Sequence, residues 1–86
     1  MIHMTMTATQ ARTFRRTLAT FGFVLVRHPF DGTRLDGPGV SVVLVPDFDN
    51  RRIVDVHVHW RRHRINRTSE RLIDRAEARA FLGGAR

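Results

Sequence analysis

A hairpin pattern occupies residues 40–60, whose sequence is VSVVLVPDFDNRRIVDVHVHW. The valine-rich runs Val40–Val45 and Ile53–Trp60 predict two β-strands, because β-branched residues favour an extended backbone. Between them, residues 47–50 carry the short polar side chains that satisfy backbone groups in a turn. We therefore expect the two strands to pair as an antiparallel hairpin.

The second strand of this hairpin alternates between apolar and polar residues, which is the pattern of a strand with one buried face. The apolar face is predicted to contain Val54, Val56, Val58 and Trp60. The polar face is predicted to contain Asp55, His57, His59 and Arg61.

Upstream of the hairpin, apolar residues at helical spacing predict a first helix. Thr7 and Gln10 have the spacing of a capping box, with Thr9 as a competing N-cap. Gly22 takes the position of a left-handed C-cap. The apolar stripe consists of Ala11, Phe14, Leu18 and Phe21.

Two further segments complete the pattern. Phe23–His28 predicts a short strand ended by Pro29, and the glycine-rich residues 30–39 predict a loop. After a basic connection at residues 61–67, a last helix is expected to run to about Leu82. Its N-cap can come from Asn66, Thr68 or Ser69.

The resulting element order is α-β-β-β-α, without repeats or an internal linker. It predicts an α+β fold in which two helices pack on one face of a three-stranded antiparallel sheet. Residues 1–8 are expected to be a flexible leader and residues 9–86 a single domain, since 86 residues support one hydrophobic core.

The second face of the predicted sheet is not wholly polar. In the first two strands, valines and leucines occupy both faces, so apolar side chains remain on the face that the helices do not cover. An exposed apolar patch of this kind marks a contact surface, such as a homodimer interface or a site for a host protein. The alternative is that the loop at 30–39 folds across this face and covers it.

Composition excludes several classes of protein. The chain has 86 residues and no cysteine, which excludes a multidomain enzyme and a disulfide-stapled scaffold. The longest apolar runs, Phe23–Val26 and Val42–Val45, have four residues each, far from the roughly 18 of a membrane span. We expect a cytoplasmic protein with no membrane partner.

The charge is positive and clustered. All 15 basic residues are arginine, against 8 acidic residues, which gives a net charge of +7. Residues 51–67 hold six arginines against the single acid Asp55, or +5. Arginine binds phosphate oxygens through its planar fork, so this segment predicts binding to RNA or DNA. A GC-rich genome is the competing explanation for the arginine bias. The predicted nucleic-acid-binding residues are Arg51, Arg52, Arg61, Arg62, Arg64, Arg67, His57 and His59.

Aromatic and histidine residues lie beside these arginines. Phe48 and Trp60 can stack on unpaired bases, although Trp60 also continues the apolar row of its strand. The run Asp55-Val-His57-Val-His59 has donors of the kind that bind zinc, but an exposed polar row explains the same residues. The chain lacks a glycine-rich phosphate loop and a nucleophile elbow. We therefore predict no metal, cofactor or catalytic residue, and these features favour a binding protein over an enzyme.

Three families of RNA-binding or RNA-cleaving proteins offer resemblances. The element order resembles the double-stranded-RNA-binding domain. Residues 22–27, Gly-Phe-Val-Leu-Val-Arg, look like the start of a HicA-type RNase toxin, a family with that fold, but residues 28–31 are His-Pro-Phe-Asp where its pattern has Gly-Ser-His. Residues 42–67, which include Trp-Arg-Arg-His-Arg at 60–64, are similar to the last hairpin of RelE-type toxins, whose chains end near that point. All three resemblances imply RNA, and none supplies a matched site.

Three functions remain open at this stage. The first is a small basic protein that binds the phosphate backbone of nucleic acid through the hairpin arginines. The second is a phage-type or mobile-element inhibitor, similar to an anti-CRISPR protein, that binds a host protein complex. The third is a toxin-like endoribonuclease that uses His57 or His59 with the arginines.

Overall fold

The computed structural model describes residues 5–27, 33–49 and 51–82. In chain order these residues form β1 (Met6–Thr7), α1 (Ala8–Thr20), β2 (Val24–Arg27), β3 (Thr33–Gly37), β4 (Val40–Pro46), β5 (Arg52–Trp60), a turn of 3-10 helix (Arg61–His63) and α2 (Arg67–Leu82). The strands form one antiparallel sheet in the order β1-β5-β4-β3-β2. No helix of these residues is long and apolar enough to span a membrane.

The α+β class is confirmed, but the prediction of a three-stranded sheet is wrong, because the sheet has five strands. One added strand, β3, lies in the segment 30–39 that the sequence predicts to be a loop. The other, β1, lies in the predicted leader 1–8, whose first four residues are outside the described residues. Both added strands are short, and each depends on contacts that a local pattern does not show.

β3 forms because both of its neighbours offer pairing partners. It pairs with β2 from Val24↔Asp36 to Arg27↔Thr33 and with β4 along its whole length. Leu35 is its one fully buried side chain. Gly37 is required by packing, since a Cβ built there would lie 2.5 Å from Cε2 of Phe23. A five-residue strand that contains glycine and aspartate is therefore stabilised by its position inside the sheet.

β1 is held by the burial of Met6, which is 0% exposed. Met6 pairs with Ile53, and Thr7 pairs with Arg52. Thr7 is also the N-cap of α1, because its hydroxyl accepts the Gln10 N–H at 3.1 Å and the Gln10 side chain accepts the Thr7 N–H at 2.9 Å. The predicted capping box is confirmed, and it places the first turn of α1 beside the start of β5.

Both helices pack on the same face of the sheet around one core. The apolar stripe of α1 is buried as predicted, except that Phe21 is only half-buried. Burial of this apolar surface stabilises the fold at roughly 25 cal/mol per Å² removed from water. The fully assembled core consists of Met6, Ala11, Phe14, Leu18, Phe23, Leu35, Val40, Val42, Leu44, Val56, Ile73, Ala76 and Ala80.

A β-bulge in β5 changes the alternation of side chains that the sequence predicts for this strand. Val45 pairs with Asp55 and Pro46 pairs with Ile53, so Val54 is an extra residue in β5. A bulge shifts the alternation of side chains by one position. Val54 is accordingly 46% exposed, whereas Val56 is buried and Ile53 packs against the core. The prediction that Val54 shares the buried face is wrong.

The opposite face of the sheet, which we call the open face, is not covered by any described helix. Its apolar residues include Val24, which is 61% exposed, and the half-buried Val26, Val43 and Val45. The described part of the predicted loop, residues 33–39, does not fold across this face, because β3 lies within the sheet between β2 and β4. The polar residues of the open face are Arg34, Asp36, Ser41, Asp55, His57 and His59.

The N-terminal end of α2 is fixed to the sheet. Asn66 caps the helix, with its Oδ1 accepting the N–H groups of Thr68 at 3.0 Å and Ser69 at 3.3 Å. The structure thus selects Asn66 from the three predicted N-caps. Ser69 is buried and donates its hydroxyl to the Pro38 carbonyl oxygen in the β3–β4 turn. In that turn Gly39 has φ +70°, a left-handed backbone that glycine adopts without strain.

Candidate nucleic-acid interface

Four arginine side chains line one cavity of about 300 Å³ where the β4–β5 turn meets the start of α1. Arg51 and Arg52 come from the end of the turn and the start of β5, and Arg12 and Arg15 come from α1. We call these four residues the turn-end arginine cluster. The pairing of Thr7 with Arg52 brings the two elements together, because α1 begins directly after β1.

Within the described ranges, no carboxylate forms an ion pair with the turn-end arginine cluster. Among the described residues, the arginines in ion pairs are Arg34, Arg61 and Arg67, and none of the four is included. Asp47 lies in the same turn, but its Oδ1 accepts the backbone N–H of Arg51 at 2.9 Å. Four like charges around one cavity produce a positive potential that attracts anions.

A second group of arginines lies after the far end of β5, and we call it the far-end arginine cluster. Two of its members have acidic neighbours: Arg61 lies 3.9 Å from Asp36 and Arg67 lies 3.0 Å from Glu70. The other two are exposed and form no ion pair within the described ranges. The four members are Arg61, Arg62, Arg64 and Arg67.

The two clusters lie at opposite ends of the same strand. β5 runs from Arg52 to Trp60, and at about 3.4 Å per residue these positions are roughly 27 Å apart. This distance matches phosphates on separate turns or across a groove of a duplex better than neighbouring phosphates on one strand. All six arginines predicted to bind nucleic acid are present in the two clusters, but the structure does not bring all six together.

Asp36 organises the open face next to the far-end arginine cluster. Its carboxylate accepts two hydrogen bonds from Arg34, both 3.0 Å long, and one of 2.8 Å from the Ser41 hydroxyl. The Arg34 hydrogen bonds lower the pKa of Asp36 most, and the Ser41 hydrogen bond and the charges of Arg34 and Arg61 act in the same direction, against a smaller opposing effect of burial. The Asp36 carboxylate also lies 3.9 Å from Nη2 of the exposed Arg61.

The two predicted histidines lie side by side on the open face. The rings of His57 and His59 are stacked, with centroids 6.0 Å apart and planes 8° apart. His57 Nε2 lies 3.0 Å from Oδ2 of Asp55. Within residues 5–27, 33–49 and 51–82, no three histidine or carboxylate side chains are grouped to hold a metal ion. The pair therefore lies between the two arginine clusters and belongs to neither.

The two candidate stacking aromatics have different surroundings. Phe48 is 96% exposed at the tip of the β4–β5 turn, three residues before Arg51. Trp60 is half-buried and packs against the core. Phe48 thus has a free ring face in the turn that precedes Arg51, and Trp60 mainly continues the buried row of β5.

Arg12 and Arg15 are members of the candidate site that sequence reasoning does not assign to it. They are three residues apart and off the apolar stripe of α1, so the sequence places them on the exposed side of a helix. It does not show which part of the sheet that side adjoins, because β1 is only two residues long.

Searches with this chain against protein-family models, curated proteins and solved structures find no match.

Proposed function

We propose that this protein binds nucleic acid by contacting its phosphate backbone with the turn-end arginine cluster. The observation that carries the proposal is that four arginines from two separate elements, none of them in an ion pair among the described residues, line one cavity. Each guanidinium has five N–H donors, and such donors form charge-assisted hydrogen bonds to phosphate oxygens. Backbone contacts of this type give affinity with little sequence preference.

The far-end arginine cluster supplies a second contact to the same ligand. Arg62 and Arg64 are the members without an acidic neighbour among the described residues, so they are the stronger candidates for binding phosphate. Arg61 and Arg67 are partly neutralised by Asp36 and Glu70. His57 and His59 lie between the clusters and add positive charge when they are protonated.

A direct binding experiment tests this function. Fluorescence anisotropy with labelled duplex RNA, duplex DNA and single-stranded RNA, at low salt, should show binding that weakens steeply as salt is added. The variant Arg12→Ala/Arg15→Ala/Arg51→Ala/Arg52→Ala should lose most of the affinity. If none of the three nucleic acids binds at low salt, the proposal is wrong.

The same samples address the proposed alternative of a toxin-like endoribonuclease. RNA recovered from the complexes should be intact if the protein only binds. Cleavage that disappears in His57→Ala or His59→Ala would replace the binding proposal by a catalytic one.

A protein contact on the open face is the second candidate function. Its support is the apolar surface formed by the exposed Val24 with Val26, Val43 and Val45, because a solvent-exposed sheet face without a partner is usually more polar. Either a second copy or a host protein can use this face. Sedimentation velocity over a range of concentrations tests the homodimer, and Val24→Asp should dissociate it. If the protein is a monomer at every concentration, the open face does not form a homodimer, and binding to a host protein is then the second candidate function.

A further inference from the structure

One edge of the sheet lacks a full partner strand. β5 pairs with β4 along its length, but on its other side β1 reaches only Arg52 and Ile53. Among the described residues, the stretch 54–60 of β5 therefore has no strand on the side away from β4. An unpaired edge presents a row of backbone N–H and C=O groups that can pair with another chain.

The backbone groups at this edge can be assigned from the hydrogen bonds that flank it. Arg61 donates its N–H to the Gly39 carbonyl oxygen at 2.9 Å, so its backbone faces β4. Because successive residues of a strand alternate in direction, Val56, Val58 and Trp60 present their backbone groups to the free edge. The Val56 N–H is accepted by Oδ1 of its neighbour Asp55 at 2.9 Å. The open positions are thus Val58 and Trp60.

A groove of about 660 Å³ runs beside this edge, between β5 and α2. Its floor is apolar and includes Val58 and Trp60 of β5, Ile73 of α2 and Ile65 of the connection. Ile65 is 48% exposed. A strand added to the edge would place alternate side chains over this floor, because the side chains of a strand point to opposite faces in turn.

The polar residues that line the groove are three acids and two histidines, in a chain that is strongly basic. Three of the eight acidic residues of the protein line it, namely Asp55, Glu70 and Asp74, while no arginine does so within the described residues. Glu70 is ion-paired with Arg67. Asp74 is exposed and has no ion pair in the described part of the chain. Asp55 lies 3.0 Å from His57, so among the described residues Asp74 is the carboxylate of the groove that is left to pair with a positively charged occupant.

We propose that this groove binds an extended basic peptide segment, which adds to the sheet as a strand beside Val58 and Trp60. The backbone of the peptide pairs with the free edge. Its side chains on the α2 side contact Ile65 and Ile73 and approach Asp74, and its side chains on the open-face side approach Asp55. This is the recognition mode in which main-chain hydrogen bonds give affinity and side-chain contacts give specificity. It does not use the turn-end arginine cluster, which lies at the other end of β5, but the groove shares His57 and His59 with the proposed nucleic-acid contact.

Charge argues against a second copy of this chain as the occupant. A second β5 edge would arrive with its own Glu70 and Asp74 on the same side, and so would bring two acidic rims together. Like charges in contact across an interface oppose association. A basic peptide meets the same rim with favourable charge.

The test uses two capped hexapeptides, one of alternating valine and arginine and one of alternating valine and glutamate. Each is titrated into the isotopically labelled full chain, and amide resonances and hydrogen exchange are followed by NMR. The valine–arginine peptide should shift the Val58 and Trp60 amides and slow their exchange at least fivefold. The valine–glutamate peptide should not bind.

Variants separate charge from backbone pairing. Asp74→Asn should weaken binding of the valine–arginine peptide about two- to fivefold, as expected for an exposed charge pair, whereas Asp49→Asn in the distant turn should not change it. Val58→Pro removes an outward N–H at a position where an edge strand tolerates proline, and it should abolish binding. Because Asp74→Asn leaves the backbone intact, the charge test holds even if the proline variant is unfolded.

Three results would overturn the proposal. The first is equal binding of both peptides. The second is slow exchange of the Val58 and Trp60 amides in the free, dilute chain, which would mean that the edge is already occupied. The third is protection that appears only as protein concentration rises, which would identify a second copy as the occupant.

Discussion

The hydroxyl of Ser69 in the first turn of α2 donates a hydrogen bond to the carbonyl oxygen of Pro38 in the β3–β4 turn, with 2.9 Å between the two oxygens. Ser69 is 1% exposed. The contact joins residues that are far apart in sequence, and it fixes the start of a helix to the turn of a hairpin. α2 therefore has an anchor at its N-terminal end in addition to its buried apolar face.

Removing this anchor should destabilise the fold without changing its architecture. Ser69→Ala is expected to lower the free energy of unfolding by about 1 kcal/mol, the usual net contribution of one such hydrogen bond. Urea unfolding followed by circular dichroism gives the value. Thr68→Ala is the matched control, since Thr68 is exposed and is the preceding residue of the same helix. Equal effects of the two substitutions would contradict the structural role of Ser69.

The bulge in β5 predicts that substitutions at Val54 and Val56 have different effects on stability. Val56→Thr should cost about 1 to 3 kcal/mol, because it places a hydroxyl in the core. Val54→Thr should change stability by no more than about 0.5 kcal/mol, as is usual for an exposed position. Thermal or urea unfolding of both variants distinguishes the bulged strand from a regular one, in which the two substitutions would be similarly costly.

Asp36 should make stability depend on pH in the acid range. Its pKa in the folded protein is below the ordinary value of 3.8, chiefly because of the Arg34 hydrogen bonds. The unfolded chain therefore binds this proton first as pH falls, so the stabilisation is complete above about pH 4 and is lost as pH falls through the lower folded pKa. Urea unfolding from neutral pH downwards should show a wild-type advantage over Asp36→Asn that shrinks with acidification.

Ser41→Ala provides an intermediate case for the same measurement. It removes one hydrogen bond to the Asp36 carboxylate and leaves the two from Arg34. Its pH dependence should lie between those of the wild type and Asp36→Asn. A wild-type advantage over Asp36→Asn that stays constant with pH would show that the carboxylate is not selectively stabilised in the folded state.

The salt dependence of nucleic-acid binding should identify which arginines contact phosphate. Each such arginine that is removed should lower the slope of log K against log salt by about 1. We expect this change for Arg12→Ala and for Arg52→Ala. Arg16→Ala is the control, because Arg16 lies on the same helix but does not line the cavity. Equal slopes for Arg12→Ala and Arg16→Ala would mean that α1 contributes only general charge.

Phe48 should distinguish unpaired from paired nucleic acid. Stacking of one base on an aromatic ring contributes about 1 to 3 kcal/mol, and the Phe48 ring is 96% exposed in the turn that precedes Arg51. Phe48→Ala should therefore weaken binding to single-stranded RNA and leave binding to duplex nearly unchanged. Fluorescence anisotropy with matched strands measures both. A uniform loss on both ligands would indicate that the substitution disturbs the turn and not a stacking contact.

Features set by neighbouring residues were predictable from the sequence. The capping box of Thr7 and Gln10 requires only a spacing of three residues, and Asn66 was among the few residues able to cap α2. The hairpin of residues 40–60 was likewise indicated by two β-branched runs around a polar turn. Each of these signals is local, and so a single sequence contains it.

Features set by distant partners were not predictable. β3 has Arg34, Asp36 and Gly37 among its five residues, a composition that disfavours a strand, and it forms because β2 and β4 lie on either side. The bulge at Val54 depends on how Pro46 meets Ile53. The predicted set of site residues lacked Arg12 for the same reason, since Arg12 and Arg52 line one cavity only because β1 pairs with β5.

That pairing also sets an order of events during synthesis of the chain. β2 to β5 each lie beside a strand that is next to them in sequence, so they can pair one after another as the chain emerges. Met6 has its partner at Ile53, and closing so long a loop is entropically costly until the rest of the sheet is in place. Of the strands in this sheet, β1 is thus synthesised first, and we expect it to join last, because the strand partner of Met6 does not exist until β5 has been made.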